Sequence, residues 1–180
     1  MFISYNSYCH PLILSYRSER KLENTITVTF KLNGKATALA VEPLTTLRTA
    51  LREHLHLHAT KAGCGQGGCG SCTVLLNGEP TLSCLLPLAL MEGQSVTTLE
   101  GIGSPGHLHP LQQAFYDHFA AQCGYCTSGM ILAAKALLDH NPRPSRQEIA
   151  TALCGNLCRC TGYAPILDAV EDAAEQIRRL

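Results

Sequence analysis

Residues 63–74 read GCGQGGCGSCTV, and this glycine-rich, cysteine-bearing loop is the most informative stretch in the first half of the chain. It places three cysteines at the spacing C-x4-C-x2-C, and a fourth follows after eleven further residues. This spacing is typical of plant-type [2Fe–2S] sites. Five glycines in ten residues allow the loop to fold back, so that thiolates converge and backbone N–H groups point toward the anionic centre. These candidate ligands, the first tetrad, are Cys64, Cys69, Cys72 and Cys84.

A second group of four cysteines lies in the other half of the chain. It consists of CGYC and, after 31 intervening residues, CRC. The patterns predict that CGYC opens one helix and that CRC follows another. The meeting of these helix ends would gather four thiolates around one centre, and a helix N-terminus favours anionic ligands. These residues, the second tetrad, are Cys123, Cys126, Cys158 and Cys160.

Other interpretations of these motifs are weaker. Zinc is also held by four thiolates, but its sites usually use two C-x2-C pairs, and neither tetrad has that form. CGYC also matches a redox motif, although no βαβ pattern surrounds it. Gly63–Gly68 matches the dinucleotide fingerprint G-x-G-x-x-G, but a strand is predicted after it where that fingerprint requires a helix.

Composition excludes several classes of protein. The 180 residues are 46% hydrophobic and carry 14 basic and 14 acidic side chains, which argues against a nucleic-acid binder and a disordered chain. No apolar run is long enough to predict a membrane span. The first residues lack the features of a secretory signal. We therefore expect a cytoplasmic protein. In that reducing compartment, ten cysteines favour metal binding over disulfides.

Patterning predicts an α+β protein. ITVTFKL from Ile26 alternates as a half-buried strand does, and Asn33-Gly34 and Asn77-Gly78 predict hairpins. Leucines at helical spacing predict a helix over 47–55. We further expect strands at 36–41, 73–76, 81–86 and 95–99, and helices at 111–121, 130–140, 145–153 and 164–179. The predicted domains are a loose extension (1–24), a small α+β domain (25–100), a linker (101–108) and an all-α domain (109–180).

Several polar residues and thiols receive ordinary structural interpretations. Cys9 is expected to be an incidental thiol, and Cys154 a small buried helix residue rather than a ligand. The histidines of EHLHLH (54–58) are expected at a helix end or on the surface. Arg159, between two candidate ligands, is either solvated or offsets negative charge. From its position alone, Gln122 is an exposed helix-end amide.

The motifs GCGQGGCGSCTV, QCGYCTSGM and GNLCRCTGY together resemble the small iron–sulfur subunit of the molybdenum hydroxylase family. The resemblance covers about residues 25–178, with all eight ligand positions in order. It implies a β-grasp, plant-ferredoxin-like domain followed by a four-helix bundle, each holding one [2Fe–2S] cluster. It also implies that the second tetrad binds the cluster near the molybdopterin cofactor, with Gln122 and Cys160 contacting the pterin edge. The first tetrad would face FAD.

The same resemblance implies the function. The chain would relay single electrons from the molybdenum centre of a large molybdopterin-binding subunit, through its two clusters, to the FAD of a medium subunit. It would have no catalytic residue of its own. Ser128 stands where many relatives have proline. The alternatives are a free-standing two-cluster ferredoxin and a zinc-stabilised interaction module.

Overall fold

The computed structural model describes residues 24–179. Cys9 and the rest of the predicted extension, except Asn24, lie outside the described residues. The elements are, in chain order, β1 (Ile26–Leu32), β2 (Lys35–Val41), α1 (Leu47–Thr49), β3 (Thr73–Leu76), β4 (Glu79–Leu82), β5 (Ser95–Thr97), α2 (Pro110–Asp117), α3 (Thr127–His140), α4 (Arg146–Ala152) and α5 (Ala164–Arg179). Short 3₁₀ turns at Leu88–Met91 and Leu99–Gly101 flank β5.

The five strands form one mixed sheet in the order β2-β1-β5-β3-β4. Strand β1 is antiparallel to β2 and parallel to β5, and the remaining neighbours are antiparallel. Both predicted hairpins are present. Asn33 and Gly34, like Asn77 and Gly78, adopt the positive φ angles that two-residue hairpin turns require.

The helix predicted over 47–55 differs in its hydrogen bonding. Thr46 caps the first turn by accepting from the Thr49 N–H, and the chain then continues as a π-helical turn, Ala50–His54. The Leu55 N–H accordingly donates to the Ala50 C=O, five residues back. The wider turn still keeps its apolar face on the sheet, where Leu47 and Leu51 are fully buried among apolar side chains of the strands.

Several predicted boundaries are displaced, and predicted elements end early where the chain turns sooner than its pattern indicates. Strand β4 stops at Leu82, where the Leu85 N–H donates to the Leu82 C=O. Helix α2 ends at Asp117, and Phe119 follows in the left-handed region. Helix α3 begins three residues before the predicted Met130.

Three apolar clusters hold the chain together. One lies between the sheet and α1, and a second lies among the four helices after residue 109. A small third cluster, Leu75 with Leu132 and Ala136, packs β3 against α3 and so joins the two halves. The structure confirms a mixed sheet followed by helices, whereas the β-grasp and four-helix-bundle arrangements stay predictions. Between residues 24 and 179, no helix is both long and apolar enough to cross a membrane.

Candidate iron–sulfur sites

The first tetrad lies around an irregular loop between α1 and β3. Backbone N–H groups of the loop point at its sulfurs: Gly68 N lies 3.2 Å and Gln66 N 3.5 Å from Cys64 Sγ, and Cys64 N lies 3.4 Å from Cys69 Sγ. A Cβ on Gly63 would lie only 2.7 Å from Cys69 Sγ. The predicted inward N–H groups are therefore present, and glycine is needed at 63 because the sulfur takes the space of a side chain.

The two ends of this tetrad differ in exposure. Cys64 is exposed, and the backbone N–H of Gln66, followed by the Cys69 thiol, lowers the pKa of Cys64 to about 7. Cys72 and Cys84 are buried, and burial raises the pKa of Cys72. The Ser83 N–H and hydroxyl both donate to the Cys72 C=O, which returns the chain after the hairpin and brings Cys84 beside Cys72.

The second tetrad forms where two segments distant in sequence meet. Cys126 is the N-cap residue of α3, and Cys123 precedes it in the CGYC turn. Cys158 and Cys160 lie in the loop after α4. Cys160 Sγ lies 3.5 Å from Cys123 Sγ, and Cys126 contacts Cys158.

Each sulfur pair of the second tetrad joins one thiol whose pKa is raised to one whose pKa is lowered. Burial, and then the neighbouring Cys158, raises the pKa of Cys126 to about 12. Burial also acts to raise the pKa of Cys158, but hydrogen bonds led by that of Thr161 outweigh it, and the pKa is lowered. The N–H of Tyr125 lowers the pKa of Cys123, whereas the hydrogen bond with Cys123 raises that of Cys160.

The donor set fits [2Fe–2S] clusters. None of the nine cysteines in the part of the chain that the structure describes forms a disulfide. Within residues 24–179, no group of three or more Cys, His, Asp or Glu side chains is arranged to hold a single metal ion. The sulfurs meet two by two, and the pairs of one tetrad are neighbours, because Cys69 also lies near Cys72 and Cys158 also lies near Cys123. Two pairs in each tetrad match a cluster of two irons with two thiolates on each. The pairs are Cys64–Cys69, Cys72–Cys84, Cys123–Cys160 and Cys126–Cys158.

The two tetrads are in direct backbone contact, which sequence reasoning missed. The N–H of Leu157, the residue before Cys158, donates to the C=O of Cys69 at 2.9 Å. Beside it, the buried Asn156 side chain donates to the Gly70 C=O at 3.0 Å. In the sequence, this contact is indicated only by the pair Gly155-Asn156 immediately before Leu157. No neighbouring residue indicates that Asn156 would bond to Gly70.

Two further hydrogen bonds fasten the first loop to the start of α3. The Tyr125 hydroxyl donates to the Ala62 C=O at 2.9 Å, and the Ser128 hydroxyl donates to the Ala59 C=O at 2.6 Å. Proline at position 128 has no hydroxyl to donate. The serine at this position therefore adds a contact between the two halves.

The remaining predicted residues fall at the surface. Gln122 and Cys160 are both exposed. The prediction that Cys154 is buried in a helix is wrong, because α4 ends at Ala152 and Cys154 is exposed in the following turn. His54, His56 and His58 are exposed, as expected. Strand β3 follows the G-x-G-x-x-G match, as predicted, at the place where the dinucleotide fingerprint requires a helix.

Comparison with known proteins agrees with this geometry. A family described as "2Fe-2S iron-sulfur cluster binding domain" matches residues 30–97, and "[2Fe-2S] binding domain" matches residues 98–171. One of the nicotinate dehydrogenase subunits of Pseudomonas putida is 49% identical over 85% of this chain and 98% of its own length. The chain belongs to the iron–sulfur subunits of the molybdenum hydroxylase family. It is an electron-transfer subunit of an oxidoreductase.

Other members of the family show the same relationship. The small FeS subunit of nicotinate dehydrogenase from Eubacterium barkeri is 48% identical over 85% of this chain and 98% of its own length. The solved quinoline 2-oxidoreductase of Pseudomonas putida 86 matches with a TM-score of 0.83 and 46% identity, over 86% of this chain and 97% of that one. Aldehyde oxidoreductase from Desulfovibrio desulfuricans also gives 0.83, at 50% identity over 85% of this chain, but the match covers only 17% of that longer chain.

Proposed function

We propose that this chain holds two [2Fe–2S] clusters and relays single electrons from a molybdopterin-type molybdenum cofactor to FAD, both bound by partner chains. Such a cluster takes up and releases one electron at a time. The first tetrad holds the cluster that faces FAD, and the second holds the cluster nearer molybdenum. The proposed ligands are Cys64, Cys69, Cys72 and Cys84 for the first cluster and Cys123, Cys126, Cys158 and Cys160 for the second.

The observation that carries this proposal is the pairing of all eight sulfurs, together with the hydrogen bond between the tetrads. The Leu157 N–H and Cys69 C=O join the backbones of the two ligand loops through one hydrogen bond. Backbone N–H groups around Cys64 stabilise the thiolate form that iron requires. This chain's own contribution is to hold the two centres at a fixed separation and to set their surroundings.

Membership of the family supports a proposal of two larger partner chains. A large subunit carries the molybdopterin cofactor, and a medium subunit carries FAD. The exposure of Gln122 and Cys160 supports their proposed contact with the pterin edge, since both remain accessible to another chain. We place the assembly in the cytoplasm, where a reducing environment keeps the eight proposed ligand thiols free for iron.

The proposed domains are a β-grasp domain at 25–100, a linker at 101–108 and a four-helix bundle at 109–180. The meeting of the two family matches at residues 97 and 98 supports a division near the start of this linker. So does the separation of the two large apolar clusters, one with the sheet and one with the helices.

The decisive experiment is metal analysis of the full chain purified without oxygen, with EPR of the dithionite-reduced protein. About four iron and four sulfide per chain, with two [2Fe–2S] signals, are expected from two clusters on eight thiolates. Zinc without sulfide would contradict the proposal and favour the interaction module.

Purification from the native cell distinguishes the ferredoxin alternative, because a dedicated subunit leaves the cell bound to larger chains that contain molybdopterin and FAD.

A further inference from the structure

The hydroxyl of Thr161 lies beside one of the proposed ligand sulfurs. Thr161 Oγ1 is 3.1 Å from Cys158 Sγ, and both residues are partly buried. Among residues 24–179, Thr161 provides the one hydrogen bond from a side chain other than cysteine to a proposed ligand sulfur. Around the first tetrad, the donors from outside the tetrad are backbone N–H groups.

The direction of this hydrogen bond follows from its neighbours. The Tyr163 N–H donates to Thr161 Oγ1 at 3.2 Å, so the hydroxyl oxygen already serves as an acceptor. A cysteine that binds iron is a thiolate and has no hydrogen to donate. The hydroxyl hydrogen of Thr161 is therefore free to donate to the Cys158 sulfur.

Two of the contacts that hold the turn carrying Thr161 do not depend on this hydroxyl. The Cys158 N–H donates to the Tyr163 hydroxyl at 2.8 Å, and that hydroxyl donates to the Asn156 C=O at 3.2 Å. These two bonds tie the ends of the turn together. The Thr161 hydroxyl can therefore be removed while the main contacts of the loop remain.

We propose that Thr161 is a positioning residue that raises the reduction potential of the second-tetrad cluster by donating a hydrogen bond to the Cys158 sulfur. Reduction adds negative charge to the cluster and its thiolates. A donor to a sulfur stabilises the more negative reduced state more than the oxidised state, so it favours electron uptake. The inference rests on the proposed function, because it requires a cluster on the second tetrad.

The test is an EPR-monitored redox titration of the full chain with its clusters, comparing wild type with Thr161→Val. Valine keeps the shape but has no hydroxyl. We expect the midpoint potential of the second-tetrad signal to fall. The largest expected effect is a change of about tenfold in the equilibrium constant for reduction, which corresponds to ~59 mV for a one-electron couple. The first-tetrad midpoint is expected to stay unchanged. Thr161→Ser retains a hydroxyl and is expected to restore most of the wild-type value.

Thr151→Val is the matched control. Thr151 lies on helix α4, and its hydroxyl donates to the Gln147 C=O, with no contact to a sulfur. The same chemical change there is expected to leave both midpoints unaltered. A shift in this control equal to that of Thr161→Val would show a general effect of the substitution and would overturn the inference.

Iron and sulfide content separates the possible failures. If wild type lacks the second cluster, the proposed function fails. If wild type and Thr161→Val both hold two clusters with equal midpoints, the function stands and the inference is wrong. Thr161→Ala provides a second variant without the hydroxyl. Loss of the cluster from both Val and Ala variants would also overturn the inference, because Thr161 would then be needed to bind iron and not to adjust its potential.

Discussion

Each tetrad consists of four thiols, but the two tetrads assemble them over different distances along the chain. In the first, Cys64 pairs with Cys69 within one loop, and Cys72 pairs with Cys84 across one hairpin. In the second, both pairs join the segment before α3 to the loop after α4. The first site is therefore largely a product of local chain geometry, whereas the second exists only when the helices have packed.

The largest expected effect is the loss of one cluster without the other. Cys126→Ala removes a proposed ligand of the second tetrad, so its EPR signal should disappear and the iron content should fall by about half, from two clusters to one. Cys72→Ala should remove the first signal alone. Cys154→Ala is the control, because Cys154 is exposed outside both sets of pairs, and both signals should remain. Survival of both signals in Cys126→Ala would refute the ligand assignment.

A second large difference concerns thiol reactivity after iron and sulfide have been removed. Cys64, with a pKa of about 7, is about half thiolate at neutral pH, and its alkylation by iodoacetamide should rise through pH 7. Cys126, with a pKa of about 12, stays a thiol over that range and should react many-fold more slowly. Mass spectrometry of the alkylated peptides measures both rates in one sample. Equal alkylation rates of Cys64 and Cys126 at pH 7 would contradict this difference in pKa.

The dependence of the second site on helix packing can be tested in its core. Ile166 of α5 is fully buried among the helices, and Ile166→Ala should cost about 2–5 kcal/mol through lost contacts and a cavity. The second EPR signal should weaken more than the first during mild heating. Leu47 is fully buried between α1 and the sheet, so Leu47→Ala should weaken the first EPR signal more than the second. Equal loss of both signals in each variant would mean that the halves unfold as one unit.

The smallest expected effect concerns the contact between the tetrads. Gly70 has φ +70°, and a Cβ there would lie 2.5 Å from both the Asn156 amide nitrogen and the Gly155 C=O. Gly70→Ala should therefore lower the free energy of unfolding by about 2–3 kcal/mol, from backbone strain and the clash. Thermal unfolding of the holo-protein measures the change.

Gly68→Ala is the matched control in the same loop. Gly68 has no positive φ, and a Cβ there meets nothing within 4 Å. Its N–H to Cys64 Sγ is retained by alanine. An equal loss of stability in both variants would show that the loop tolerates a side chain at neither glycine, and that the contact with Asn156 has no special role.

Features set by neighbouring residues were predictable from the sequence. Asn-Gly pairs indicated both hairpins because few other residues adopt the required left-handed angles. The helix predicted from residue 145 begins where expected, and Ser145 and Glu148 form a capping box at its start. The cysteine spacings indicated two sets of four thiols. The end of α2 and the burial of Cys154 were mispredicted, since both depend on where the chain turns to meet other elements.

The composition of the sites could be derived from the sequence: eight thiols in two groups, a glycine-rich loop and the family to which the chain belongs. Only the fold shows which sulfurs pair, that the Leu157 N–H donates to the Cys69 C=O, and that Asn156 fits against Gly70. The difference comes from the distance along the chain over which each interaction acts. Turn angles, caps and motif spacings act over a few residues, whereas a contact between residues 69 and 157 forms only after the sheet and α3 have packed around Leu75 and Leu132.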